Sequence, residues 1–75
     1  MGHGVRMQEL PGIGKRYDVD LGRPDRRVSV IVHRDGRREL YVFTSASADP
    51  TVVIELSEER ARKLSAVLSE TFFEG

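Results

Sequence analysis

Two apolar-rich runs, RRVSVIVH and RRELYVF, flank the pair Asp35-Gly36. An Asp-Gly pair between two such runs is the strongest short-range signal for a β-hairpin. A two-residue turn there pairs Arg34 with Arg37. It also sets His33 opposite Arg38, Ile31 opposite Leu40, Val30 opposite Tyr41, Ser29 opposite Val42 and Val28 opposite Phe43. Upstream, Arg16–Leu21 alternates: Tyr17, Val19 and Leu21 face one way, Arg16, Asp18 and Asp20 the other. With a turn at Gly22-Arg23-Pro24-Asp25, Asp20 faces Arg27, Val19 faces Val28 and Tyr17 faces Val30. The β-branched run Arg27–His33 is expected at the centre of the sheet.

The flanking segments complete the sheet. Val5–Leu10 reads as a short strand and Pro11-Gly12-Ile13-Gly14 as a tight turn. Arg38–Thr44 and Thr51–Leu56 read as strands on either side of a polar loop. The period then changes. Ala61, Leu64, Leu68 and Phe72 fall at helical spacing, Ser57 is placed to cap, and Glu58 and Glu59 suit the positive end of the helix dipole. Arg60 stands where a capping box would have Glu, so the box is incomplete. The expected fold is α+β: an antiparallel sheet of about five strands with one C-terminal helix packed on one face. A chain of 75 residues is expected to be a single domain, residues 1–75. The first four residues are left out of the fold argument as native residues or a cloning remnant.

The register sorts the side chains onto two faces. Tyr17, Val19, Leu21, Val28, Val30, Val32, Tyr41 and Phe43 are expected on the helix side. The far face carries Arg16, Asp18, Asp20 and Arg27, with an Asp20–Arg27 ion pair. It also carries an apolar island of Ile31, Leu40 and Val42, although a sheet covered on one side should be polar on the other. Either an end strand folds over the island, or it is a contact surface for a second copy or a partner protein, or it is scattered apolar surface without a role.

Composition narrows the chemistry. Lys and Arg number 12 against 12 Asp and Glu, which argues against nucleic acid as a partner. There is no cysteine, so no disulfide framework or thiolate site. No apolar run approaches the roughly 20 residues that cross a bilayer, so direct membrane insertion is not expected. Gly12-Ile13-Gly14-Lys15 lacks the spacing of a P-loop and precedes a strand, so it reads as a glycine turn. Asp18 and Asp20 lie about 6.6 Å apart along one strand. They read as a salt-bridged face, with a small hydrolase or isomerase as a distant third reading. His3 and His33 are too few for a metal site. No catalytic residue, cofactor or metal is expected. His33, beside Arg34, Arg37 and Arg38, is the candidate pH-sensing group.

ELPGIGKRYDVDL, then RRVSVIVHRDGRRELYVF, then DPTVVIELSEERARKLSAVL and Phe72-Phe73 together resemble the N-terminal domain of the KhtT-like cytoplasmic regulatory subunit of bacterial potassium/proton antiporters. The resemblance covers nearly all of the chain after Arg6. It implies a non-catalytic regulatory domain that forms a homodimer, docks on the membrane antiporter and responds to pH. It implies a cytoplasmic location, held at the inner membrane through that partner. In that family a TrkA-C domain follows and binds cyclic di-AMP. The chain ends at Gly75 and looks like the N-terminal domain alone, so nucleotide binding is not carried over to it. Candidate partner-binding residues are Ile31, Leu40 and Val42 for an apolar contact, and Arg34, Arg37 and Arg38 for an electrostatic one. A structural dimerisation module of another cytoplasmic protein is the alternative.

Overall fold

A computed structural model describes residues 4–71, so Phe72 of the expected apolar stripe and Phe73 lie outside the described residues. Five strands and a helix follow in chain order: β1 (Val5–Leu10), β2 (Gly14–Arg23), β3 (Arg26–His33), β4 (Arg38–Phe43), β5 (Val52–Leu56) and α1 (Glu58–Ser69). The strands form one antiparallel sheet in the order β1-β2-β3-β4-β5. The fold is the expected α+β arrangement.

Local chemistry explains each turn. Between β1 and β2, Ile13 N–H donates to Leu10 O at 2.9 Å, with Pro11 and Gly12 between them and Gly12 at φ 80°. Proline before a positive-φ glycine is the signature of a type II turn. The β2–β3 register is the expected one: Tyr17 faces Val30, Val19 faces Val28, and Asp20 faces Arg27. Beyond Asp20 the ladder slips, and Arg23 pairs with Arg26 around Pro24-Asp25. The slip inserts Leu21 and Gly22 as a bulge, with Gly22 at φ 94°. Leu21, expected on the helix side, is therefore 54% exposed.

The central hairpin departs from expectation by one residue. Gly36 N–H donates to His33 O at 3.0 Å, and His33 N–H donates to Arg37 O at 2.8 Å. Gly36 has φ 100°, whereas Glu70 is the one described non-glycine residue at positive φ, so Asp35 is not left-handed. A two-residue type I′ turn needs positive φ at both central positions. The loop is instead Arg34-Asp35-Gly36, a type I turn closed by a glycine bulge. Asp35 holds it by accepting from Arg37 N–H at 3.0 Å. The resulting pairs are Val28 with Val42, Ser29 with Tyr41, Val30 with Leu40, Ile31 with Glu39 and Val32 with Arg38.

A slip of one residue moves every side chain of β4 to the other face. Leu40 and Val42 join Val28 and Val30 on the helix side, while Tyr41 and Phe43 go to the far side. The island of Ile31, Leu40 and Val42 is thus divided, with Ile31 on the far face. The Asp20–Arg27 pair keeps its register without an ion pair. Asp20 Oδ1 accepts from Gly22 N–H at 2.8 Å, while Arg27 stacks on Phe43 with its guanidinium 4.3 Å from the ring centre.

Helix α1 begins as expected. Ser57 Oγ accepts from Arg60 N–H at 3.2 Å, and Glu58 and Glu59 occupy the first turn. The helix meets the sheet mainly at β5. Ala61 and Leu64 share a groove of about 330 Å³ with Val30, Val32, Leu40 and Leu56. Twelve residues of helix cannot cover five strands, and this leaves the site described next.

Candidate functional site

Two cross-strand rows of the helix-side face are apolar from edge to edge, and a third carries Glu9, Lys15 and Arg38 beside Val32 and Leu56. β1 contributes Val5 and Met7, which pair with Val19 and Tyr17. β5 contributes Val52 and Ile54, which pair with Val42 and Leu40. The middle of the face is half-buried by its own neighbours. Both margins are open: Met7 is 54% exposed and Ile54 42%. On the helix, Leu64 is 41% exposed and Leu68 77%. Among the described residues the one apolar side chain classed as buried is Phe43, and it lies on the opposite face. A single helix covers only one corner of this apolar surface. Arg38 sits on its rim, opposite both Val32 and Leu56.

The far face is a set of linked polar groups. Arg16 Nε donates to Asp18 Oδ1 at 3.0 Å, and Ser29 Oγ donates to the same oxygen at 2.6 Å. Partial burial pushes the Asp18 carboxyl up, but the Ser29 hydroxyl and Arg16 guanidinium outweigh it and hold the group below the ordinary carboxylate value. A general acid needs a raised carboxyl, which Asp18 does not have.

His33 and Glu39 sit across β3 and β4, Nε2 to Oε1 at 2.9 Å, and Tyr41 Oη donates to the same oxygen at 3.3 Å. The His33 contact is the main cause that holds the Glu39 carboxyl low, with Tyr41 adding to it. Burial first, and then the Glu39 charge, push the Tyr41 hydroxyl up. Glu39 is therefore more acidic folded than unfolded. Its stabilisation is complete above its ordinary value of 4.5 and is lost as pH falls through the lower folded value. The melting temperature should fall on acidification from about pH 5 to about pH 3, and Glu39→Gln should make that decline shallower. An unchanged decline would show that Glu39 does not feel His33 in solution.

At the hairpin tip Arg34 and Arg37 are exposed, as expected of charged loop residues. Arg37 is already engaged, with Asp35 at 3.0 Å and Glu55 at 2.9 Å. The Arg37 backbone N–H, then its guanidinium, hold the Asp35 carboxyl low. Arg34 N–H donates to Ile13 O at 2.9 Å and ties the two hairpin tips together. Of the basic candidates, Arg34 and Arg38 form no ion pair among the described residues, and the Arg38 guanidinium donates to Gly36 O. The sequence reading missed Val5, Met7, Val52 and Ile54. Their signal was the alternation within VRMQEL and VVIEL, which the three central strands overshadowed.

Residues 3–72 match the family model described as the N-terminal domain of the K(+)/H(+) antiporter subunit KhtT. The chain is 35% identical over 65 residues to the K(+)/H(+) antiporter subunit KhtT of Bacillus subtilis (strain 168). It is 40% identical over 65 residues to the uncharacterized protein YrvC of the same organism. Each alignment covers 85% of this chain and 39% of the relative, so the chain spans about two fifths of the length of the curated relatives it matches.

Proposed function

The chain belongs to the family of N-terminal domains of the K(+)/H(+) antiporter subunit KhtT, and from that footing we propose that it is a non-catalytic regulatory module docking a cation/proton antiporter. The observation that carries this reading is the apolar sheet face, bounded by Met7 at one edge and Ile54 at the other, with one short helix over its corner. Leu40 and Val42 lie in the middle of this face and remain candidate contacts, with Arg38 as a charged rim. Ile31 stands apart on the other side. The module works at the cytoplasmic side of the membrane, held there through its partner. Among the described residues no helix is long and apolar enough to cross a membrane. Cyclic di-AMP, by resemblance, acts through a TrkA-C domain outside these 75 residues. Association of two copies is part of the same proposal.

The pH response is assigned to His33. Glu39 of β4 bonds it, Tyr41 shares the same Glu39 oxygen, and the His33 charge reaches Asp35 of the turn. Protonation of His33 turns a neutral contact with Glu39 into an ion pair and changes the charge of the far face near the hairpin tips.

The test is recovery of the membrane antiporter with the tagged chain, alongside light scattering of the chain alone at about pH 6 and pH 8. Met7→Glu and Ile54→Glu together place charge on two open positions at the margins of the sheet, so the fold should persist. Antiporter recovery should fall at least tenfold, about 1.4 kcal/mol. Undiminished recovery would remove the apolar face as the docking surface. A self-association that these substitutions abolish, with no antiporter recovered even by the parent chain, would favour a structural dimerisation module. His33→Gln should erase any difference between the two pH values, and a difference that survives would remove His33 as the sensor.

A further inference from the structure

β5 is the last strand of the sheet, and its outer edge has no neighbouring strand among the described residues. We propose that this edge pairs antiparallel with β5 of a second copy, joining two sheets into one about a twofold axis at Ile54. The proposal rests on the association of two copies put forward above and gives it a surface. Antiporter docking plays no part in it.

An edge strand presents a row of backbone N–H and C=O groups that another strand can complete, and proteins usually guard such edges with charge, proline or a bulge. The two edges of this sheet differ in that respect. β1 carries Arg6 and Glu9 within VRMQEL and runs into Pro11. β5 is VVIEL, with the single charge of Glu55, and its register against β4 is unbroken. Arg37 already holds that charge, Nη1 to Glu55 Oε2 at 2.9 Å. Val52, Val53 and Ile54 are all exposed. The helix leans inward from this edge. Glu58 lies against Gly36 at the hairpin tip, and Ala61, Leu64 and Leu68 face a groove floored by Val30, Val32 and Leu40 of β3 and β4.

The strand is complementary to itself. A twofold axis perpendicular to the sheet sets the helix side of one copy beside the helix side of the other. Centred on Ile54, the register pairs all five residues of β5. Ile54 then meets its own copy, Val52 meets the partner's Leu56, and Val53 meets the partner's Glu55. Centring on Glu55 would oppose like charges, and centring on Val53 would leave Leu56 unpaired. In the Ile54 register the apolar rows that end open at Val52 and Ile54 continue onto the second sheet. Five paired residues make a small interface, so the association should be weak and concentration-dependent.

The chain has no cysteine, so a single introduced thiol reports only on its own copy. Ile54→Cys should form a disulfide-linked dimer on mild oxidation, because the two thiols lie directly opposite. Val52→Cys should not, since its copy lies about 14 Å away along the ladder. Light scattering over a concentration series then compares two changes at exposed Val53. Val53→Lys sets a cation opposite the partner's Glu55, and Val53→Glu sets a like charge there. The Lys variant should dimerise about tenfold more tightly than the Glu variant, with both keeping the parent circular dichroism spectrum. A dimer that links through Val52→Cys as readily as through Ile54→Cys would overturn edge pairing and leave the association standing. Equal dissociation constants for the two Val53 variants would do the same. A parent chain that stays monomeric at every concentration would overturn the association, and this proposal with it.

Discussion

Gly14→Ala should remove a large share of the chain's stability. A Cβ built on Gly14 would lie 1.9 Å from Val32 O and 2.9 Å from Val32 C, and φ is 154°. Both obstacles are backbone atoms of the neighbouring central strand, so no rotamer change relieves the clash. The ladder between β2 and β3 has to separate locally, at a cost of about 3 kcal/mol or more. A chain of 75 residues has a total stability of roughly 4–11 kcal/mol. Each kcal/mol in a domain this small shifts the melting temperature by about 4–8 °C. A fall of more than about 12 °C is expected in thermal melts followed by circular dichroism. Gly12→Ala is the internal control. A Cβ there meets nothing within 4 Å, and only its φ of 80° opposes the change. That costs about 1–2 kcal/mol. Equal losses in the two variants would show that Val32 does not approach Gly14 in solution.

Phe43→Ala should be the next most damaging change, and it should act through the face away from the helix. Phe43 is 6% exposed and carries the Arg27 guanidinium over its ring. Truncation removes a buried aromatic ring, about 3 kcal/mol, and also the cation–π contact, about 0.5–1 kcal/mol. Arg27, which Phe43 and Ser47 O hold in place, loses one support. Phe43→Leu separates the two contributions by keeping most of the apolar volume without the π face. Urea denaturation should rank the parent chain above Phe43→Leu and Phe43→Leu above Phe43→Ala. A Phe43→Ala protein as stable as Phe43→Leu would place Phe43 outside any packed cluster.

Most of the fold could be read from local patterns, because local chemistry decides it. Alternation in β2, β-branching in β3, and Ser57 ahead of Glu58 and Glu59 each act over a few residues. The β2–β3 register was legible through the matched apolar pairs Tyr17–Val30 and Val19–Val28. The β3–β4 register was not. Asp-Gly is compatible with a two-residue type I′ turn and with a three-residue loop ending in a glycine bulge. The choice rests on whether Asp35 joins Gly36 at positive φ. The runs on β4 gave little guidance, since Leu40 and Val42 on one side and Tyr41 and Phe43 on the other are both apolar. One residue of slip then reassigned all four, along with the proposed contact surface. Leu21 was misplaced for a related reason: a bulge at Gly22 breaks an alternation that looks perfect in the sequence.

Every strand in this sheet is hydrogen-bonded only to its neighbours in the chain, in the order β1-β2-β3-β4-β5. None of these pairings has to wait for distant segments to meet, so the entropic barrier to assembly is that of closing short loops. Such a meander should therefore fold quickly for a β-rich chain. It can also grow one strand at a time as it leaves the ribosome, the central hairpin forming before β5 and α1 have been made. The apolar face is completed last, when its helix arrives. While the chain grows, that surface is uncovered and most open to sticking to other unfinished chains.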